Sequence, residues 1–314
     1  MNIEYSGIPP PIDASPGPLR DTLEGMRNPA PRLLALALAA CACIAAQSQP
    51  DKEEWIQLFN GRNLDGWIPK ITGYAPGENF GNTFRVENGV IKVSYDQYDT
   101  FRDRFGHLFY NRSFSYYRLV VEYRFLDGQV PGGPSWARRN SGIMIHSQSP
   151  QSMLKDQNFP ISIEVQLLGG EGAETRPTLN LCTPGTNVVM NGELVTRHCT
   201  NSTAKTYYGD QWVRAEVEVL GGKHVRHIID GKTVIEYDAP QIGGGSVDNY
   251  DPAVKQDGKL LTEGYICLQS ESHPVEFRKV ELLPLKGCMD PKASNFKSYY
   301  VEPDNSHCVF ANRN

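Results

Sequence analysis

The sequence predicts an all-β sandwich or jelly roll. Three observations point there. From Glu53 onward apolar and polar residues alternate in short runs, clusters of Gly, Pro and Asn punctuate those runs, and no amphipathic helical pattern of ten or more residues occurs. WIQLFNGRNLDGW opens the domain. TFRVENGVIKV is expected to form a hairpin through Asn88-Gly89, because both residues tolerate positive φ. YYRLVVEYRF sets Leu119, Val121, Tyr123 and Phe125 against Val120, Glu122 and Arg124. NSGIMIHSQ and ISIEVQLL follow. WVRAEVEVLGGKHVRHIIDGKTVIEY holds a three-strand meander with turns at Gly221-Gly222 and Asp230-Gly231, and GYICLQS and VEFRKVELLPL close the domain.

The 314 residues are 39% hydrophobic, enough for one large domain or two smaller ones. Net charge is −5, with no long basic run and no aromatic–basic alternation, which argues against a nucleic-acid partner. Fifteen Tyr, twelve Phe and four Trp suit aromatic binding platforms and suit an ordinary β core equally well. Two stretches break the strand rhythm: residues 129–139 (QVPGGPSWARR) and residues 169–208. Long ordered loops on a rigid sheet tend to carry function. Residues 287–310 shift in composition to a short, polar, Cys-closed tail module.

Residues 1–25 are rich in Pro, Gly and charge without periodicity, and are expected to be a disordered or misassigned extension before a true start at Met26. Arg27 and Arg32 then precede the apolar run at 33–40, so residues 26–46 predict a secretory signal, too short to span a membrane. Leu38-Ala39-Ala40-Cys41 resembles a bacterial lipobox, in which Cys41 would be lipidated and anchor the mature chain to a membrane. The alternative is cleavage after Ala46. The expected location is the periplasm or the outer membrane as a lipoprotein, or else secretion. Seven Cys fit export. Cys182 and Cys199 bracket a Gly/Asn/Pro-rich segment and are expected to pair, as are Cys288 and Cys308 around the tail. Cys267 is left over. Its apolar run suggests a small buried residue, while strand parity sets it opposite Ile266 and Leu268.

A sandwich strand turns one face to the opposing sheet and the other to solvent or a cleft. In ISIEVQLL, Ile161, Ile163, Val165 and Leu167 go inward, so Glu164 and Gln166 go outward. In NSGIMIHSQ, Ile143 and Ile145 go inward and Gly142, Met144 and His146 outward. In GYICLQSES, Ile266 and Leu268 go inward and Tyr265, Cys267, Gln269 and Glu271 outward. If these strands share a sheet, His146, Glu164, Gln166, Gln269 and Glu271 face one surface. Each has a plainer reading: a solvated face for Glu164, a satisfied structural histidine for His146, a rim charge for Glu271. Asn140 and Ser141 lead into the His146 strand, where turn formation is the plain alternative.

These segments resemble the 3-keto-disaccharide hydrolase family, a bacterial domain formerly of unknown function. LFNGRNLDGW resembles the family's opening, NSGIMIHS its NSGI motif, ISIEVQLL its (Y/I)E-x-Q strand, CTPGTNVVMNGELVTRHCT its Cys-bracketed loop, and GYICLQSESHPVEFRKVEL its closing motif. The resemblance spans roughly residues 53–285. Lys279 departs from the Asn common after Phe-Arg, and Ser272-His273 departs from the usual Gly. The resemblance implies a jelly roll of the concanavalin A-like kind with long loops. It also implies hydrolysis, by elimination and hydration, of 3-keto-glycosides or 3-keto-disaccharides that an upstream sugar oxidoreductase supplies.

Concanavalin-like glucanases place paired carboxylates on one strand as E-x-D-x-x-E, and here that strand offers Glu164 and Gln166 without a second acid. A 3-keto sugar asks for less, since the ketone acidifies the C2 hydrogen, which lies β to the leaving group. Glu164 is the expected base, His146 the second candidate, and Glu271 an acid toward the departing oxygen. Gln166, His198 and Gln269 are expected at sugar hydroxyls. Arg278 either orients a carboxylate or forms a structural ion pair, and Trp136 and Tyr265 are candidate stacking rings. His146, Glu164 and His198 are donors of a kind suited to a divalent cation, whereas the absence of CxxC and HExxH spacing argues against zinc of those classes. The rival expectation is a non-catalytic carbohydrate-binding module or adhesin on the same face.

Overall fold

The computed structural model describes residues 51–311. The N-terminal extension, the signal segment at 26–46 and Cys41 lie outside the described residues. The described chain is a jelly-roll sandwich of two antiparallel sheets with no α-helix and four short 3₁₀ turns.

The back sheet has ten strands. Its centre runs from Lys232–Ile242 through His224–Ile229, Val213–Leu220 and Tyr116–Phe125 to Val275–Pro284. The front sheet has seven, in the order Cys199–Thr200, Asn180–Cys182, Ile163–Leu168, Asn140–Ser147, Gly264–Ser270, Gly106–Phe114 and Trp67–Ile71. Two of the three expected turns form with both central residues at positive φ, Asn88 (51°) with Gly89 (79°) and Asp230 (51°) with Gly231 (72°), and the third forms with Gly221 alone at positive φ (57°).

Between the sheets, Ile143, Ile145, Ile163, Val165 and Leu268 of the front meet Leu119, Val121, Val217, Phe277 and Val280 of the back in one core. Burying each such side chain contributes about 1.5–3 kcal/mol. The remaining front-sheet positions therefore face away from the core. Cross-strand register aligns them: Lys70 opposite His107, His107 opposite Gln269, Gly142 opposite Gln166, Gln166 opposite Asn180, and Met144 opposite both Cys267 and Glu164.

Two sequence expectations change. Residues 169–208 are not one long loop. They carry the short strands Asn180–Cys182, Thr186–Met190, Glu193–Val195 and Cys199–Thr200, and Thr186–Met190 crosses to pair with the back sheet. Runs of two to five residues split by Gly185 and Asn191-Gly192 are too short to leave a periodic signal. His146 also leaves the outward face. The register against Gly264–Ser270 shifts between Tyr265 and Cys267, and His146 takes φ 49°. Its Nε2–H donates to the Gly221 carbonyl at 3.0 Å. A Cβ at Gly264 would stand 2.5 Å from His146 Cα, so only glycine fits beside this bulge.

Both expected disulfides are present. Cys182–Cys199 ties the front sheet's edge, and Cys288–Cys308 closes the tail. The tail adds a two-stranded parallel ladder, Lys286–Gly287 with Glu302–Pro303. It also grips the start of the domain: Lys297 pairs with Glu54, and Ser298 N–H donates to Asp51. Replacing Cys182 and Cys199 together with Ser should lower unfolding stability by about 3 kcal/mol, the scale for closing a loop of this size, as read by urea denaturation.

Candidate active site

On the outward face of the front sheet, loops roof over a cavity of about 340 Å³ lined by Glu164, Gln166, Glu271, Asn140, Trp136 and His198. That volume suits a small-molecule ligand. Glu164 is nearly fully buried there. Its carboxylate leans over Gly142, where a Cβ would come within 2.7 Å of Glu164 Oε1 and 3.0 Å of Gln269 Oε1. The missing side chain at position 142 is thus what lets the Glu164 carboxylate and the Gln269 amide approach each other from two strands.

Glu271 follows directly on the Gly264–Ser270 strand and is equally buried. The Tyr95 hydroxyl holds the residues on both sides of it, meeting the Ser270 side chain at Oγ at 2.8 Å and accepting from the Ser272 backbone N–H at 2.8 Å. Burial pushes the Glu271 carboxyl well above the usual carboxylate range, and the nearby Glu164 charge pushes it further. Burial likewise raises Glu164. Two buried acids beside one another cannot both ionise readily, so the pair holds a proton at neutral pH.

The surrounding polar atoms are short of partners. Both amide atoms of Gln269, Asn140 Oδ1 and Glu271 Oε2 make no hydrogen bond within the protein. Buried groups of this kind are ordinarily satisfied, so Asn140 Oδ1 and Glu271 Oε2, whose residues line the cavity, offer themselves to a polar ligand, with the Gln269 amide buried behind them. Gln166 is oriented by Asn180, which donates from Nδ2 at 3.0 Å. Trp136, 54% exposed, stacks on Phe105 at 6.0 Å between centroids, and Phe105 meets Phe159 at 4.8 Å, giving the cavity an aromatic wall.

Four sequence-named residues lie elsewhere. His146 lines a separate cavity with Leu261 and Glu263, and burial lowers its pKa to about 4, so it is a neutral tie between the sheets. Ser141 points inward and its Oγ donates to the Gln269 carbonyl at 2.8 Å, locking two strands. Arg278 belongs to the back sheet, paired with Glu122 and lying over the Trp212 ring at 4.5 Å, so its role is structural. Tyr265 packs beside an apolar cluster of Phe109, Met144, Met153 and Cys267, which also accounts for the buried Cys267 thiol. The cation trio does not assemble either, because His146 and Glu164 occupy different cavities. His198 sits near two sulfurs, but these are Cys182 and Cys199, consumed in their disulfide.

His107 was missed. It lies fully buried beneath Phe159, at 5.9 Å between ring centroids, with both ring nitrogens unpartnered. Burial, with the Lys70 charge beside it, lowers its pKa to about 3 and keeps it neutral. The alternation of Leu108 against His107 and Phe109 in GHLFY carried the signal.

Similar solved chains include two from Parabacteroides distasonis named as candidate glycosyl hydrolases. One is 16% identical over 74% of this chain and 100% of its own, with a TM-score of 0.45. The other is 18% identical over 74% and 94%, at 0.43. A Bacillus licheniformis β-glucanase is 12% identical over 75% and 99%, at 0.40. No curated protein matches. Residues 54–283 match the model of the 3-keto-alpha-glucoside-1,2-lyase-like domain, and the chain therefore belongs to that carbohydrate-active family.

Proposed function

We propose that the protein cleaves 3-keto-glycosides by elimination followed by hydration. The observation that carries this reading is the buried Glu164–Glu271 pair facing the unpartnered Gln269 amide. In the first step ionised Glu164 takes the C2 hydrogen as a proton, and the C2–H electrons flow toward the C3 carbonyl. The Gln269 NH₂ group donates to the oxygen that gains charge. The carbonyl then reforms, a C1=C2 double bond appears, and the C1–O bond breaks. Glu271, holding the shared proton, gives it to the departing oxygen. Water next adds OH at C1 and H at C2, releasing the free 3-keto sugar. An oxidoreductase acting on a C3 hydroxyl must supply the substrate. We also take the chain as exported, by lipidation at Cys41 or cleavage after Ala46, since two disulfides suit an oxidising compartment.

The second carboxylate supports one competing reading. Glu164 and Glu271, on segments either side of the Asn140–Ser147 strand, could act as an ordinary glycosidase pair on unoxidised sugars. Incubation with a 3-keto-glucoside and its parent glucoside separates the two. Aglycone released from the keto sugar alone supports elimination, and turnover of the plain glucoside overturns it. Binding without turnover of either would make the protein a carbohydrate-binding module.

Glu164→Gln should reduce aglycone release at least about 100-fold with an unchanged circular dichroism spectrum. Retained activity would move the base elsewhere. Gly142→Ala should lower the melting temperature without unfolding the protein, because the added methyl would stand 2.8 Å from Glu164 Cγ and 3.0 Å from Gln269 Oε1, both buried. It should also lower kcat about tenfold or more by displacing the Glu164 carboxylate. The raised carboxyls also tie stability to pH. Between the unfolded and the raised folded pKa values the native state binds more protons than the unfolded state, so stability falls as pH rises through that window. Glu271→Gln, which removes one of the two acids, should therefore melt higher than the wild type, with a gap that widens from about pH 5 to about pH 8. A gap that is constant or shrinks over that range would contradict the buried pair.

A further inference from the structure

The cavity that holds the carboxylate pair has a third acid in its lining, the exposed Asp248, which the chemistry above does not use. In the run GGGSVDNY the apolar Val247 is buried in a cluster with Ile161 and Ile242, and its neighbours Ser246 and Asp248 line the cavity. Asp248 is clamped to a second loop at two points. Asn158 Nδ2 donates to Asp248 Oδ2 at 2.9 Å, and Asp248 N–H donates to Asn158 Oδ1 at 2.8 Å. Asn249 adds a third tie, donating from Nδ2 to the Asp156 carbonyl at 3.1 Å. An amide carries no charge, so the clamp holds the Asp248 carboxylate in place without neutralising it.

The rest of the lining does not balance that charge. Among the described residues it contains Glu164, Glu271 and Asp248 but no lysine or arginine. Burial lowers the pKa of its one histidine, His198, which is therefore neutral at neutral pH. Arg138 and Arg139 lie close to Trp136 in the chain, yet they pair with Glu171 and Asp127 and line a different cavity. With one proton on the Glu164–Glu271 pair, the lining still carries about two negative charges. Among the described residues no three of Glu164, Glu271, Asp248 and His198 bring ligand atoms within 4.8 Å of one another, so the charge is spread along the cavity rather than gathered on one ion-sized point.

The unpartnered atoms favour the same kind of ligand. Asn140, 4% exposed, leaves Oδ1 without a partner, and Glu271, 3% exposed, leaves Oε2. Both residues line the cavity and both atoms are acceptors, so a ligand must bring donors. An ammonium group brings three donors and a positive charge. The Trp136 and Phe159 rings in the same lining attract cations over their faces. An acidic ligand would instead meet acceptors and like charge.

We propose that the sugar this site accepts carries an ammonium group, and that Asp248 selects amino sugars over neutral and acidic ones. The proposal deepens the elimination reading by naming the substrate class, and its binding test stands apart from that reading. Calorimetry near neutral pH and at low salt compares methyl glucoside with its derivatives bearing an amine at C2 or at C6 and with the one bearing a carboxylate at C6. At least one amine should bind about fivefold tighter than methyl glucoside, the scale of one exposed ion pair, and the carboxylate should bind more weakly than methyl glucoside. Asp248→Asn keeps an acceptor for Asn158 and removes the charge. It should cut the ratio of amino-sugar to methyl-glucoside affinity about fivefold, and added salt should shrink the same ratio in the wild type. Amines that bind no tighter than methyl glucoside, a carboxylate that binds as well as methyl glucoside, or a ratio that survives Asp248→Asn overturns the proposal. Among the 3-keto forms of these sugars kcat/KM should follow the same order. If the wild type turns over none of them, the elimination reading falls while the binding ratios still decide the role of Asp248.

Discussion

A strand pressed on one side into a dry core must send its polar residues to the other side. In the front sheet that constraint acts on several neighbouring strands at once. Val165 and Leu167 face the core, so Glu164 and Gln166 cannot. Leu268 does the same for Gln269, and Leu108 for His107. Antiparallel register then lays these displaced polar groups side by side, and the loops that carry Trp136 and Phe159 roof them over. The site is what the core rejects, gathered in one place and kept from water.

Keeping it dry sets up an opposition between stability and chemistry. Two carboxyls under one roof hold their proton more tightly than they would in water, and the unpaired amide of Gln269 adds to the strain of burial. The same burial leaves two carboxyls sharing a proton at neutral pH, close to an amide with no partner in the protein. Gly142 shows how closely the arrangement is fitted, since one methyl group there would occupy the space of the Glu164 carboxylate.

Much of this was legible in the sequence, and the failures have definite causes. Parity placed Glu164, Gln166 and Gln269 correctly because their strands run without a bulge on that stretch. It failed at His146, where a backbone bulge reverses the face. Parity also says nothing about which sheet a strand joins. Gly264–Ser270 and Val275–Pro284 are consecutive, yet one lies in the front sheet and the other in the back, which is why Arg278 seemed a site residue in the sequence and is not. A search for the second acid along one strand found none. Glu271, which strand parity set on the same face, comes from the end of a different strand, and the structure brings it close enough for the Glu164 charge to act on it. Trp136 was visible as an aromatic in an unusual loop, but its stacking on Phe105 needed the structure.

The tail's grip on the first residues of the domain has a different kind of consequence. Glu54 meets Lys297, and Asp51 meets Ser298, so both ends of the described chain leave from the same corner. A domain whose ends adjoin can be spliced into a host loop, or joined to new partners at either end, without stretching its own strands. The disulfide between Cys288 and Cys308 closes the tail segment that carries Lys297 and Ser298 to that corner.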